Sequence, residues 1–176
     1  MYALREYVGE ARVNAALRRV VQAHAYTGPP YPTTLDLYRE LHGVTPDSLK
    51  YLLDDLVRHI TLWDLRAGKA RAVPVGGGRY RVTLELDVAK VRADSVGNDT
   101  PVPMNDLVEI GVFAEGGDGR GPALYLRKHR LAAGRHTVTV TVAGRPALAG
   151  VDPRYLLLTK EKEEMHARMA TVAVAP

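Results

Sequence analysis

Tyr80-Arg81-Val82-Thr83-Leu84-Glu85-Leu86-Asp87-Val88 alternates apolar and polar residues without a break. A period of two sends successive side chains to opposite faces of an extended chain, so this stretch predicts a strand with one buried and one wet face. The same period returns at Val108, Ile110 and Val112, at Leu124 and Leu126, and at Val138, Val140 and Val142 set among Thr137, Thr139 and Thr141. Gly76-Gly77-Gly78, Gly97-Asn98-Asp99 and the glycine-rich run 116–121 read as turns, and Leu131-Ala132-Ala133-Gly134-Arg135 as a hairpin connection. About six or seven short strands at this spacing predict an antiparallel, Ig-like β-sandwich over residues 63–158.

Upstream of Trp63 the period changes to 3.6. Val13, Ala16, Leu17, Val20 and Val21 recur at three- and four-residue spacing between Glu10 and Ala25, the pattern of an amphipathic helix. Thr27-Gly28-Pro29-Pro30-Tyr31-Pro32 cannot continue it, because proline lacks the amide donor and clashes with the preceding turn. A second helix follows with Thr33 or Thr34 as its cap and Leu35, Leu37, Tyr38 and Leu41 on its apolar side. A third is expected from Thr45-Pro46-Asp47, with Leu49, Leu52, Leu53, Leu56, Val57 and Ile60 as its stripe. The expected class is therefore α+β: about three helices in residues 1–62, the sandwich in 63–158, and a charged, flexible tail over 159–176 that begins with the run Lys160 to Glu164. The helical stripes must pack on something, which a closed sandwich supplies only at one edge or face.

Composition narrows the function classes. With 176 residues, 46% hydrophobic and 25% charged, the chain has the balance of a globular protein rather than a disordered or fibrous one. No apolar run reaches the roughly 18 residues of a spanning helix, so direct membrane insertion is not expected. Met1 to Gly9 lacks the basic and apolar regions of a signal peptide, which leaves localisation open. The net charge of +4 is too mild to require nucleic acid, and the absence of cysteine excludes disulfides and thiol chemistry.

Several constellations bear on chemistry. The His-Glu-x-x-His pattern of zinc hydrolases is absent from the sequence. His129 and His136 flank the expected hairpin turn, but without a carboxylate at matching spacing they make a poor metal site. The loops 76–78 and 116–121 match phosphate-cradling loops only in glycine content, and loose hairpin turns account for them better. Asp47 and the adjacent Asp54-Asp55 read as solvated helix surface, since neighbouring helix residues point about 100° apart. Arg127, Lys128, His129, Arg130 and Arg135 form a basic group with only Tyr125 for base stacking, which favours a charged sheet face over a nucleic-acid surface. No catalytic, cofactor or metal residue is assigned.

Three stretches nonetheless resemble a known family. Tyr7 to Arg19, Pro30 to Leu41 and Thr45 to Leu56 look like the C-terminal end of bacterial M1-type zinc aminopeptidases, in the branch associated with ABC transporter permeases. The likeness continues through 91–94, 102–113, 124–130 and 150–153 and ends near Leu158. It implies that residues 1–62 correspond to the closing helices of a catalytic domain and 63–158 to the sandwich that follows. The family's zinc ligands and general base lie upstream of any matching segment, so none has a counterpart here. The expected role is a non-catalytic module that supports or docks a catalytic domain, with the helices meeting that domain, another protein partner or a second copy. The alternative is a free-standing protein- or peptide-binding module that uses sandwich loops such as 93–106 or 115–122.

Overall fold

The computed structural model describes residues 1–116, 120–159 and 168–175. Two compact units divide the chain, Met1–Ile60 and Thr61–Pro176.

The first unit is helical. It contains α1 (Tyr2–Val8), α2 (Glu10–His24), α3 (Thr34–Val44), a 3-10 turn (Asp47–Leu49) and α4 (Lys50–Val57). Four α-helices stand where three were expected. The additional one, α1, is only two turns long and is separated from α2 by Gly9 at φ 101°, a left-handed conformation that glycine adopts without a steric penalty. Thr33 caps α3, and the Asp36 carboxylate accepts both the backbone N–H and the hydroxyl of Thr33 at 2.8 Å. Thr45 does not cap the next helix; its hydroxyl turns back and donates to Leu41 O at 2.7 Å. α2 packs against α3. Val13, Ala16, Leu41, Leu49, Leu52 and Leu53 are buried.

The second unit is an eight-stranded sheet built from β1 (Ile60–Pro74), β2 (Arg79–Ala93), β3 (Asp99–Pro101), β4 (Asn105–Phe113), β5 (Ala123–Ala132), β6 (Gly134–Ala143), β7 (Leu148–Val151) and β8 (Met169–Val174). The strand order is β3-β2-β1-β8-β7-β4-β5, with β6 also paired to β2. The α+β class holds. The sheet is mixed rather than purely antiparallel, because β8 pairs β7 antiparallel through Met169 to Thr171 and then runs parallel to β1 through Val172 to Val174. β8 thus joins two halves into one curled sheet.

Two further expectations are corrected. Residues 131–135 are not a hairpin: β5 pairs with β4 and β6 with β2, so the chain turns a corner at Gly134 and enters the other half of the sheet. Alternation fixes the face of each strand but not its neighbour, which is why turn-like composition misleads here. The tail expectation fails at 168–175, where Arg168 is buried and β8 lies inside the sheet; residues 160–167 lie outside the described residues.

Val82, Leu84, Leu86 and Val88 of β2 are buried together with Val108, Ile110 and Val112 of β4. In β1 the buried positions change phase, from Thr61, Trp63 and Leu65 to Ala70 and Ala72, and Gly68 between them sits against Glu85.

Candidate functional site

The buried polar groups of the sheet unit gather around β4. On one face Asp106, 2% exposed, accepts the Trp63 indole N–H at 2.8 Å and two contacts from the Lys90 ammonium at 3.0 Å. Lys90 is itself only 6% exposed and occupies the next buried register position of β2 after Val88. A lysine in phase with a core stripe is a legible signal, and so is the aspartate two residues before Val108; both escape a motif search because their partners lie far apart in sequence.

On the other face of β4, Glu109 accepts a two-pronged bond from Arg154 at 2.7 and 2.6 Å. Beside it the Asp152 carboxylate accepts the N–H groups of Leu156 and Leu157 at 3.0 Å each and is paired with the fully buried Arg168 guanidinium. Arg168 also donates to Leu157 O at 3.0 Å and lies over the Tyr155 ring. Burial pushes the Asp152 carboxyl up to about 6, against the opposing pull of the two amides and the guanidinium. Burial likewise lowers the Arg168 guanidinium, with Asp152 resisting. Asp152 and Tyr155 hold positive φ values of 45° and 54°, so the segment from 152 to 157 is wrapped around this one carboxylate. Asp106, Glu109 and Asp152 all direct their acceptors at donors of their own chain and are shut from solvent. Such an arrangement fastens strands; it does not present a nucleophile or base to a substrate.

The structure disperses the candidate residues of the sequence. His129 Nε2 is bonded to the Tyr125 hydroxyl at 2.8 Å, and burial lowers its pKa. His136 Nε2 meets Ala132 O at 2.8 Å, on a strand that does not pair with the one carrying His129. Asp54 accepts the Tyr38 hydroxyl at 2.5 Å, which raises the tyrosine pKa, while Asp55 is buried and Asp47 pairs with Lys50 at 2.6 Å in the open. The basic group is split. Arg127 lies over the Tyr125 ring, Lys128 stands opposite Glu109, Arg130 donates to Asn105 O at 2.7 Å, and Arg135 faces Asp87 on the other half of the sheet. Gly76-Gly77-Gly78 forms the tight β1–β2 turn, where Val75 N–H donates to Arg79 O at 2.9 Å. In the 93–106 loop Asp94 accepts from Val96 and Asn98, and these bonds hold its carboxyl below the usual range. In the 115–122 loop, residues 117–119 lie outside the described residues. Among the described residues no group of three or more His, Asp or Glu is placed to hold a metal ion, and no helix is long and apolar enough to cross a membrane.

Apolar side chains are left exposed on the helical unit. Tyr2, Val21 and Leu35 are 51%, 63% and 53% exposed, and Val21 belongs to the very stripe that gives α2 its amphipathic character. No protein-family model matches the chain, and no curated protein matches it.

Proposed function

We propose that the chain is a non-catalytic module of an M1-like metallo-aminopeptidase, whose helical unit docks a catalytic domain and whose sheet unit serves as the Ig-like supporting domain. The observation that carries this reading is the apolar surface left on the helical unit at Tyr2, Val21 and Leu35. The three side chains lie on α1, α2 and α3, one on each, and are the apolar groups a docking partner would cover. The charge of the same unit favours that partner being held by apolar contact: residues 1–60 carry seven Lys and Arg against seven Asp and Glu, so no net field steers or repels. The identity of the partner as a peptidase domain rests on the resemblance of residues 7–19, 30–41 and 45–56 to the closing helices of that family.

Hydrolysis of a panel of fluorogenic aminoacyl amides by the purified chain, with zinc supplied, tests the reading. The expected result is no turnover above a chelator-treated control. Chelator-sensitive turnover overturns it. A second readout addresses docking itself: an apolar reporter dye is expected to bind the wild-type chain and to lose most of its signal in a Val21→Glu, Leu35→Glu variant, and equal binding by the two refutes the docking face.

A further inference from the structure

The two ends of the sheet are defended unequally. β5 closes the strand order on one side and carries Arg127, Lys128 and Arg130, the kind of charge that discourages a foreign strand from pairing. β6 runs for ten residues from Gly134 to Ala143, pairs with β2 alone, and from Thr137 to Ala143 has neither a charge nor a proline. Its alternating threonines and valines are among the strongest strand formers.

The ladder fixes which amides are free. Gly144 N–H donates to Gly78 O at 2.9 Å, and the β2–β6 pairing runs without a shift from Arg79 opposite Ala143 to Val88 opposite Gly134. In an antiparallel ladder alternate residues turn both backbone groups to the same neighbour. The even-numbered residues of β6 therefore bond β2. Arg135, Thr137, Thr139, Thr141 and Ala143 direct N–H and C=O to the open side, where no described strand receives them.

We infer that this edge pairs with β6 of a second copy of the chain, antiparallel about a two-fold axis at Thr139. The sequence of the edge is self-complementary about that residue. Thr139 faces Thr139, Val138 faces Val140, Thr137 faces Thr141, His136 faces Val142 and Arg135 faces Ala143. Each outward amide then meets another outward amide, threonines pair with threonines on the wet face, and the half-buried Val138 and Val140 cover each other across the axis. The nearest charge, Arg135, meets a neutral residue, and the two copies of it lie at opposite ends of the joint. Nothing along the run selects a different chain. Pairing consumes the edge in both copies while β5 stays guarded, so the assembly closes at a dimer. This interface is separate from the helical face of the proposed function and stands without it.

Sedimentation equilibrium of the full chain over the micromolar range tests the inference, with hydrogen exchange at the outward amides as an independent readout. The expected result is a monomer–dimer equilibrium in which Thr137, Thr139 and Thr141 amides gain protection as concentration rises. Thr139→Lys, an exposed position, places two lysines face to face on the axis and is expected to weaken the dimer by about tenfold or more. Val21→Glu, on the helical unit, is expected to leave it unchanged. A chain that stays monomeric overturns the inference, as does a dimer that survives Thr139→Lys, one that dissolves with Val21→Glu instead, or one whose odd-numbered β6 amides exchange at the same rate at every concentration.

Discussion

Asp106→Ala is the most informative single perturbation of the sheet unit. The substitution leaves the Lys90 ammonium, 6% exposed, without the carboxylate it contacts at 3.0 Å. Breaking a buried pair from one side costs about 3 to 5 kcal/mol, because the surviving charge is neither solvated nor compensated. It also strips the acceptor from the Trp63 indole N–H, bonded at 2.8 Å, a loss of about 1 to 3 kcal/mol for a buried donor. Both penalties arise at one carboxylate and do not simply add, so the expected loss is about 4 to 6 kcal/mol, a large share of the roughly 5 to 15 kcal/mol that holds a domain folded. The double variant Lys90→Met, Asp106→Asn removes both charges, keeps an acceptor for the indole and preserves volume; it is expected to lie within about 2 kcal/mol of wild type. Urea unfolding followed by the fluorescence of Trp63 reads both, since it is the only tryptophan and sits in the network. If Asp106→Ala loses less than about 1 kcal/mol, or if the double variant is no more stable than Asp106→Ala, the network does not carry the energy assigned to it.

Other outcomes follow from the same contacts. The Asp152 carboxyl is raised to about 6 in the folded chain, against 3.8 for the ordinary group, so the folded state holds a proton between about pH 4 and 6 that the unfolded state releases. This group therefore stabilises the fold on the acid side and loses that contribution as pH rises through 6, by up to about 3 kcal/mol; the stability of wild type minus that of Asp152→Asn is expected to fall by about 2 kcal/mol from pH 4.5 to 7, and a difference independent of pH refutes the assignment. Gly150→Ala would drive a Cβ into Arg168 O, a backbone atom of the segment leading into β8, and is expected to cost about 3 kcal/mol or more in thermal melts; a neutral substitution would mean that β8 is not docked on β7.

The strands whose alternation is long are legible in the sequence alone. Val82, Leu84, Leu86 and Val88 are buried as their spacing requires, and of the two expected cap residues, Thr33 and Thr34, it is Thr33 that bonds the aspartate three residues on. What alternation does not carry is the identity of a neighbour, hence the misread corner at 131–135 between β5 and β6. β8 is hidden for another reason: six residues with Val172 alone buried give little pattern, and a charged run precedes them. The helix α1, at seven residues, is likewise too short to establish a period. The polar networks escape because Trp63 and Asp106 lie 43 residues apart and Glu109 and Arg154 lie 45 apart, so their meeting is a product of topology.

That topology explains why a chain would bury such costly groups in β4. The strand is covered on both faces, with Val108, Ile110 and Val112 on one side and Gly111 and Phe113 on the other. When both faces are apolar, hydrophobic burial alone barely distinguishes the correct register from a slip by one residue, which would exchange the faces. Asp106 and Glu109 are three residues apart and therefore point to opposite faces. Each has a partner on its own side only: Trp63 and Lys90 for Asp106, Arg154 for Glu109. A slip would face both carboxylates away from their cations at once, a penalty several times that of misplacing a methyl group. The two networks thus convert an ambiguous apolar strand into one with a single acceptable register. On this account, Lys90→Met, Asp106→Asn leaves β4 in place, because Glu109 still fixes it and the introduced amide still meets the Trp63 indole; neutralising Glu109 and Arg154 as well removes the second charge pair, leaves the neutral indole bond to oppose a slip, and is expected to broaden the amide signals of β4 as registers interconvert.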